Sequence, residues 1–331
     1  MGGLHVYAAH PELQIGPLAL LLALPLSIGP VWIGKVAAIT LMTGVGLVVL
    51  SLIGRLHPMV ARQRRLLLVA GLVSLPVWTE LSASTGHLDD VIALGAAVLA
   101  LHALAWQRPV IAGLLLAAAV DAKPWAIAFV PLLLFIRPGT GRALAFTVFA
   151  GAIVAAWAPF FIADPHTWNL AHFAIPNASG SALRALGSHA PSTPSWDRPA
   201  QVVLGCVLGV IAVVKHRPAG VLVVAIASRL FLDPSTYSYY TAGFLVACVA
   251  FDVTLSTSRL PWLTFSAVAF LYLPNLLVIA LPATAQAAGV VRAVYLAASV
   301  VYALFSRTRS PHSSTGILEP QLTRRTLAHQ L

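Results

Sequence analysis

Ionisable side chains that could carry out acid–base chemistry are concentrated in one stretch of this sequence, Glu80 to Pro131. They lie at the ends of segments otherwise made of Ala, Leu, Val and Ile, and they are Glu80, His87, Asp89, Asp90, Asp121 and Lys123. Ionisable groups are costly next to lipid, so a cluster of them at the mouths of apolar helices indicates a functional site. A carboxylate in such a site can accept a proton, and a cation can hold an anion.

The sequence GHLDD, Gly86 to Asp90, places two adjacent carboxylates at the start of an apolar run. One of them can cap the free N–H groups of a helix and meet its positive dipole end. Because adjacent helical residues point about 100° apart, the other can face a cavity, and Asp89 and Asp90 both remain candidates. His87 either tunes a carboxylate, binds phosphate, or is a hydrogen-bonded residue of the membrane interface.

The sequence DAKPW, Asp121 to Trp125, forms a second polar site. Lys123 is one of three lysines in the chain, and it is the one that lies among acids. It either pairs with Asp121 and extends to the membrane interface, with Pro124 ending the helix, or supplies a cation for a phosphate group. We favour the phosphate role.

The sequence SRLFLDPSTYSYY, which ends at Tyr240, forms a third site. Arg229 lies inside an apolar run, where a cation needs a partner, and Asp233, about one helical turn later, is the expected partner. The tyrosines either belong to an aromatic belt at the membrane interface or line a pocket. An arginine, an Asp-Pro corner and clustered tyrosines together favour a pocket for a lipid phosphate or a sugar.

The elements that must position these residues are membrane helices. The chain has 331 residues, of which 59% are hydrophobic and 9% are charged, and this is too apolar for a soluble domain of its size. The apolar runs predict an all-α polytopic membrane protein with about 10 to 12 transmembrane or re-entrant helices. We expect one transmembrane domain over residues 1–305, with a long extracytoplasmic loop over 163–200 and a cytoplasmic, disordered tail over 306–331.

Other features narrow the functional class. The two cysteines, Cys206 and Cys248, fall inside apolar runs without a second ligand, so we interpret them as packing residues. Walker, dinucleotide-binding, HExxH and CxxC motifs are absent. The formal charge of +10 does not indicate a nucleic-acid partner, because the basic residues lie in short loops between apolar runs.

The charged residues divide between alternate loops. Placing the basic loops in the cytoplasm collects 14 of the 20 basic residues there, together with the C-terminus. The same assignment brings seven of the ten acidic residues to the extracytoplasmic face, namely Glu80, Asp89, Asp90, Asp121, Asp164, Asp197 and Asp233. Acidic residues do not set topology, so we interpret this face as the catalytic or binding face.

Three motifs together resemble a known class of enzyme. They are G-H-x-D-D at a helix start, A-G-L-L-L-A-A-A-x-x-A-K-P-W followed by Pro131, and R-L-x-x-D-P-x-x-x-x-Y-Y. This pattern resembles the GT-C integral membrane glycosyltransferases, and most closely the actinobacterial branch related to polyprenol-phosphate-mannose-dependent mannosyltransferases. The resemblance extends over about Leu4 to Phe305 and implies a GT-C-like helical bundle.

The resemblance also implies a reaction. Such enzymes move a sugar, mannose or another hexose, from a polyprenyl-phosphate donor to a lipid or cell-envelope glycan acceptor at the extracytoplasmic face of the cell membrane. A carboxylate acts as base on the acceptor hydroxyl and basic residues hold the donor phosphate, with inversion in one displacement. The sequence indicates neither a metal nor another cofactor, although a divalent cation is compatible with it. The site residues expected on this basis are Asp90, Asp89 and Glu12 as catalytic carboxylates, Lys123, Arg229 and His87 at the donor phosphate, and Asp121, Asp233, Tyr240 and Tyr7 in the pocket.

The chain departs from the family pattern at its start. Leu4 to Ala23 resembles the end of the first outer loop and the helix after it. In the family, a membrane helix and the acid-bearing half of that loop come first. We therefore expect either an N-terminal truncation or a base that has moved to Glu12, Asp89 or Asp90.

The same departure affects the expected side of the N-terminus. Charge counting places Met1 in the cytoplasm if Ile15 to Ile33 spans the membrane, whereas the resemblance places His5 to Glu12 outside. The three prolines of this run are compatible with a short re-entrant helix, which reconciles the two. We favour the outside placement.

Two other classes remain open. A non-catalytic lipid-glycan transporter or flippase would need charged groups throughout the membrane depth, whereas here they collect at one face and no internal repeat is evident. A structural membrane subunit predicts that substitution of Lys123 or Asp90 changes stability only. We favour the enzyme.

Overall fold

The protein is helical throughout the part that the computed structural model describes, residues 3–56 and 61–308. The strand-like pairings in these ranges are two isolated bridges, Pro176 with Ser192 and Ser256 with Thr308. In chain order the α-helices are α1 (Val6–Ala9), α2 (Pro17–Ala23), α3 (Val31–Arg55), α4 (Ala61–Thr79), α5 (Leu88–Ala105), α6 (Pro109–Ala122), α7 (Thr140–Ala163), α8 (Asn169–His172), α9 (Ala182–Ala185), α10 (Asp197–Val214), α11 (Pro218–Leu232), α12 (Tyr240–Thr254), α13 (Trp262–Ala267), α14 (Leu273–Ala280) and α15 (Ala285–Phe305). A long 3₁₀ helix covers Pro124–Phe135, and shorter ones cover Gly3–His5, Pro25–Ser27, Pro165–Trp168 and Pro282–Thr284. One π-helical segment, Glu80–Ser84, extends α4, and another, Val268–Tyr272, joins α13 to α14.

Seven helical segments among the described residues are long and apolar enough to cross a membrane. They are Val31–Arg55, Ala61–Ser84, Leu88–Ala105, Thr140–Ala163, Asp197–Val214, Trp262–Ala280 and Pro282–Phe305. Shorter apolar helices cover Pro17–Ser27, Pro109–Ala122, Pro124–Phe135, Pro218–Leu232 and Tyr240–Thr254. Helices satisfy their backbone hydrogen bonds within one segment, as lipid requires. The prediction of an all-α polytopic membrane protein is confirmed.

The connections between these helices fall into two sets at opposite ends of the bundle, because each crossing segment reverses the direction of the chain. The acidic face is the end that contains Glu80, Asp89, Asp90, Asp121, Asp164, Asp197 and Asp233. The basic face is the end that contains Arg55, Arg108, Arg137, Arg142, Lys215, Arg217, Arg259 and Arg307. Contacts join connections within each face: Ala178 donates to the Pro234 carbonyl at 2.8 Å on the acidic face, and Gln107 donates to the Phe135 carbonyl at 3.2 Å on the basic face.

The segment after α6 crosses in an unusual form. The sequence predicts an apolar span over Trp125 to Ile136, and the structure has a 12-residue 3₁₀ helix, Pro124–Phe135. Pro131 in its middle has no N–H to donate and would disturb an α-helix. At about 2.0 Å per residue, a 3₁₀ helix of this length extends roughly 24 Å, close to the bilayer hydrocarbon thickness of about 30 Å.

The N-terminal segment lies on the acidic face. The Gly16 N–H donates to the Ala122 carbonyl at 2.8 Å, which places the start of α2 beside the end of α6. His5 Nδ1 lies 3.3 Å from an Asp164 carboxylate oxygen, and the Gln14 side chain donates to the Leu170 carbonyl at 3.0 Å. Helix α2 has seven residues, about 10 Å at 1.5 Å per residue, so it is too short to cross a bilayer.

The helices divide into a central and a peripheral group. Most of α5 and α11 is buried by neighbouring helices; the buried share of the α5 span is 72%. The spans of α7 and α3 are 11% and 22% buried, so most of their apolar surface faces outward. Polar residues on the ends of the central helices are therefore enclosed by protein, and the functional candidates of α5, α6 and α11 are in this position.

The long connection between α7 and α10 is packed on the acidic face. It contains the short helices α8 and α9, and an isolated bridge pairs Pro176 with Ser192. The Asn177 side-chain amide donates to the Ser188 and Ala190 carbonyls, each at 3.0 Å, so it holds the loop together. Nearly all of the tail expected to be disordered, from residue 309 onward, lies outside the described residues.

Candidate active site

The first turn of α5 positions both acids of the GHLDD motif. Gly86 has a φ of +67°, in the left-handed region that glycine adopts most readily. This turn lets the His87 N–H donate to the Leu81 carbonyl at 3.2 Å before α5 begins at Leu88. Asp89 and Asp90 thus stand at the positive end of the α5 dipole. Both are buried, with 4% and 5% of their surface exposed.

Lys123 lies just past the end of α6 and turns toward these acids. Its backbone is extended (φ −143°, ψ 109°), which directs the side chain away from the α6 axis. Its ammonium donates to Asp89 Oδ2 and lies 3.5 Å from Asp90 Oδ2. Burial lowers the pKa of Lys123, but the Asp90 and Asp89 carboxylates outweigh burial and hold the pKa above its ordinary value.

The two oxygens of Asp90 have different surroundings. Oδ1 accepts a hydrogen bond from Trp125 Nε1 at 3.2 Å and lies 3.9 Å from Arg229 Nη1. Oδ2 accepts no hydrogen bond from any residue of the described ranges. A buried carboxylate of this kind is oriented through one oxygen. Its other oxygen, which accepts no hydrogen bond from the described residues, can accept a proton from a substrate.

Arg229 joins this site to the end of α11. Its Nε lies 3.8 Å from Asp233 Oδ2, which confirms the expected pair one helical turn apart. Its guanidinium carbon stands 4.6 Å from the ring centre of Trp125 and 4.4 Å from that of Tyr240, so two aromatic faces hold the cation. Burial raises the pKa of Asp233, although Arg229 and the Ser235 N–H act in the opposite direction.

Aromatic rings enclose the site on the His87 side. The His87 ring stacks on Tyr239 with 4.0 Å between centroids and 18° between planes. The Tyr239 ring packs in turn against Tyr240, edge to face, at 4.7 Å. His87 Nδ1 lies 3.5 Å from Asp89 Oδ1. The three predicted sites, GHLDD, DAKPW and the Arg229 to Tyr240 stretch, therefore form one cluster, which we call the acidic-face cluster.

Comparison with known proteins gives the reaction class. A model of glycosyltransferase family 87 matches residues 16–185, about half of the chain. The chain belongs to glycosyltransferase family 87. No curated protein and no solved structure matches it significantly. The protein is therefore a membrane glycosyltransferase, which is the enzyme class expected from its sequence.

The family match covers only part of the acidic-face cluster of this glycosyltransferase. The matched residues include His87, Asp89, Asp90 and Lys123. Arg229, Asp233 and Tyr240 lie after the match. The structure brings both groups together, because α5 and α6 pack against each other and against the 3₁₀ helix, which in turn packs against α11.

Two predicted pocket residues of the glycosyltransferase form a separate polar group. Asp121 does not pair with Lys123; it interacts with Trp157. Tyr7 is fully buried, stacks on Trp157 with 5.1 Å between centroids, and has a hydroxyl without a hydrogen-bond partner among the described residues. Burial and the nearby Asp121 raise the pKa of Tyr7. Gly16 lies against the Asp121 backbone, where an added Cβ would come within 2.1 Å of the carbonyl oxygen.

The third predicted base lies on the N-terminal segment. Glu12 is exposed, and it contacts His10 with 3.0 Å between Oε1 and Nδ1. The hydrogen bonds of Glu12, led by the one from its own backbone, lower its pKa. Asp90 and Asp89, by contrast, lie beside the cations of the cluster.

His87, Asp89 and Asp90 offer ligand atoms that lie within 4.8 Å of one another, close enough for one metal ion. In this glycosyltransferase the Lys123 ammonium contacts Asp89 and Asp90 from the same side. The ammonium thus lies against one oxygen of each carboxylate, and the Oδ1 atoms face His87 and Trp125 instead.

Sequence reasoning missed some members of the site. Trp125 and Tyr239 lie within the motifs, but their contacts with Asp90 and His87 depend on packing. Arg292 lies inside an apolar run, and it is 3% exposed in α15. The rule that selected Arg229, that a cation within a span needs a partner, would also have selected Arg292.

Proposed function

We propose that this glycosyltransferase transfers mannose or another hexose from a polyprenyl-phosphate donor to a lipid or cell-envelope glycan acceptor, with inversion at the anomeric carbon. Membership of family 87 supports the reaction class. The observation that carries the proposal is the arrangement around Asp90. Within the described residues its Oδ2 accepts no hydrogen bond, with the Lys123 ammonium 3.5 Å away, while a guanidinium lies 3.9 Å from its Oδ1. A proton acceptor and a phosphate ligand thus stand side by side.

In the proposed step, Asp90 removes the proton from the acceptor hydroxyl as the hydroxyl oxygen attacks the anomeric carbon of the donor. The bond between that carbon and the phosphate oxygen breaks, and its electron pair leaves with polyprenyl phosphate. A positioned base of this kind contributes about 10² to 10⁴ in rate, and cations stabilise the leaving phosphate. Asp89 accepts a hydrogen bond from the Lys123 ammonium, which lies 3.5 Å from Asp90 Oδ2.

The proposed location of the reaction is the extracytoplasmic side of the cell membrane. The basic loops gather at the opposite face, and the positive-inside rule places that face in the cytoplasm. A lipid-linked donor reaches a site at a helix end from within the bilayer. It requires no nucleotide-binding loop, and the sequence contains none.

A transfer assay tests the proposal. Membranes that contain the protein are incubated with a radiolabelled polyprenyl-phosphate sugar, and the label in the acceptor lipid or glycan fraction is counted. We expect Asp90→Asn to lose about 100-fold or more of the activity. Asp164→Asn is the matched control, because Asp164 is an acid of the same face that contacts His5 and His166. We expect it to keep the activity.

The outcome also separates the other classes. Equal activity of Asp90→Asn and the wild type would refute Asp90 as the base. If no sugar donor supports transfer and the protein instead moves labelled lipid across vesicles, the transporter reading is correct. If the wild type neither transfers sugar nor moves lipid, and Asp90→Asn lowers only its stability, the protein is a structural subunit.

A further inference from the structure

Arg292 is a buried cation whose donors are not fully used. It lies in α15 on the stripe that packs into the bundle, together with Ala285, Gly289, Leu296, Ser299 and Ala303. Its residue surface is 3% exposed, and its Nε and Nη1 find no hydrogen-bond partner in the described part of the chain. Burying unpaired guanidinium donors is costly. A bound anion would satisfy them.

The nearby carboxylate leaves Nε and Nη1 of Arg292 without a hydrogen bond within the described residues. Asp233 is the nearby carboxylate that interacts electrostatically with Arg292. Its Oδ1 accepts the Ser235 N–H at 2.8 Å, and its Oδ2 faces Arg229 at 3.8 Å. The Ser235 hydroxyl is also buried without a partner among the described residues. In the described part of the chain, the surroundings of Asp233 thus contain two guanidinium nitrogens and one hydroxyl group that make no hydrogen bond.

The charges of the acidic-face cluster are distributed unevenly. On the α5 side, one ammonium, Lys123, faces two carboxylates, Asp89 and Asp90. On the α11 side, three guanidinium groups face two carboxylates; these residues are Arg198, Arg229, Arg292, Asp197 and Asp233. Counted by formal charge, with Arg229 assigned to its neighbour Asp233, the first side has one more acid than cations and the second has one more cation than acids. A phosphodiester has one negative charge and fits the second side.

The three arginines are not equally available. Arg198 donates to the Gln14 side chain and, at 2.6 Å, to the Phe173 carbonyl, so it ties the N-terminal segment to the long loop. Arg229 is held between the faces of Trp125 and Tyr240. Arg292 alone of the three has two buried nitrogens without a partner in the described ranges.

We propose that Arg292, together with Arg229, binds the phosphate of the lipid donor, and that Lys123 does not. The assignment of phosphate binding to Arg292 and Arg229 rests on the proposed function for the identity of the ligand. It also revises the expectation from the sequence that Lys123 holds the phosphate. The phosphate would lie on the α11 side and the acceptor hydroxyl on the Asp90 side.

A binding measurement tests the assignment without requiring transfer. Purified full-length protein in nanodiscs is titrated with a fluorescent polyprenyl monophosphate, and the uncharged polyprenol is the reference ligand. We expect Arg292→Gln to weaken phosphate-lipid binding about tenfold or more and to leave polyprenol binding unchanged. Arg292→Lys keeps the charge but loses the planar pair of donors, so we expect an intermediate affinity. Lys123→Met, made together with Asp89→Asn so that one positive and one negative charge are removed, should keep the wild-type ratio of phosphate-lipid to polyprenol affinity.

Arg217→Gln is the matched control. Arg217 is a buried arginine on the basic face, and it donates to the Ala303 carbonyl of α15 at 2.8 Å and to the Ser306 carbonyl. We expect its replacement to leave binding of both lipids unchanged.

Three outcomes would overturn the assignment. They are wild-type phosphate affinity in both Arg292 variants, equal losses in the Arg292 and Arg217 variants, and a loss confined to the Lys123→Met/Asp89→Asn double variant. If Arg292→Gln does not fold, Arg292→Lys decides between the first outcome and the proposal. Phosphate binding that depends on Arg292 in a protein that transfers no sugar would refute the proposed function and leave this site standing.

Discussion

Replacement of Lys123 by methionine removes the one ammonium between two buried carboxylates. Its Nζ lies 3.5 Å from Asp90 Oδ2 and contacts Asp89 Oδ2. At an effective dielectric constant of about 20, an attraction at 3.5 Å amounts to about 5 kcal/mol before desolvation is counted. Loss of one partner from a buried pair costs about 3 to 5 kcal/mol in measured cases. We expect Lys123→Met to lower the free energy of unfolding by that amount.

The measurement is unfolding of the purified protein by SDS in mixed detergent micelles, followed by tryptophan fluorescence. The double variant Lys123→Met/Asp89→Asn removes an ammonium and one carboxylate together. It should recover about 2 kcal/mol relative to the sum of the single variants. Lys35→Met is the control, because Lys35 is an exposed lysine at the start of α3. Its effect should stay within about 0.5 kcal/mol.

The reasoning would be refuted by a loss below about 1 kcal/mol in Lys123→Met, the range of exposed ion pairs. Strict additivity of the single variants would refute it equally, because additivity means that Lys123 and Asp89 do not interact.

Three further predictions follow from the site and its scaffold. Glu12→Gln should leave the transfer rate unchanged, because Glu12 is exposed and bonded to His10; a rate like that of Asp90→Asn would make Glu12 the base. EDTA should not reduce transfer, because the Lys123 ammonium already lies beside both carboxylates; a loss that Mg²⁺ or Mn²⁺ restores would contradict this. Gly113→Ala should destabilise the protein by about 1 to 3 kcal/mol, because its Cβ would come within 2.5 Å of the Ala145 carbonyl oxygen. Gly151→Ala is the control, because an added Cβ there meets open space, and it should be neutral or stabilising by up to about 1 kcal/mol. Equal losses in the two variants would show that the close approach of α6 and α7 at Gly113 does not cause the destabilisation.

The helical class and the position of the site were predictable because they depend on local properties. Apolar runs exclude any structure that leaves backbone groups unpaired in lipid. Charged residues within or beside such runs must have a partner or a function. This local rule selected Asp89, Asp90, Lys123, Arg229 and Asp233, and the structure joins all five in one cluster.

The pairing within the cluster was not predictable from spacing. Asp121 and Lys123 are two residues apart, yet Lys123 pairs with acids 33 and 34 residues earlier. The cause is backbone geometry: α6 ends at Ala122, and the extended conformation of Lys123 turns its side chain toward α5. Sequence proximity at a helix end does not determine which way the next side chain points.

The sequence by itself determined that this protein is a bundle of membrane helices with its acids and two of its key cations at one face. The physical reason is local: a charged side chain is costly in lipid, and the residues around it in the same segment already show whether it lies in an apolar run. Only the tertiary structure decided which cation lies beside the Asp89 and Asp90 carboxylates and which one has guanidinium nitrogens without a partner among the described residues. Lys123 meets two acids through the α5 and α6 hairpin, whereas Arg292, in α15, meets a carboxylate that Arg229 and Ser235 already occupy. Such differences arise from the rotation and packing of helices that are distant in the chain.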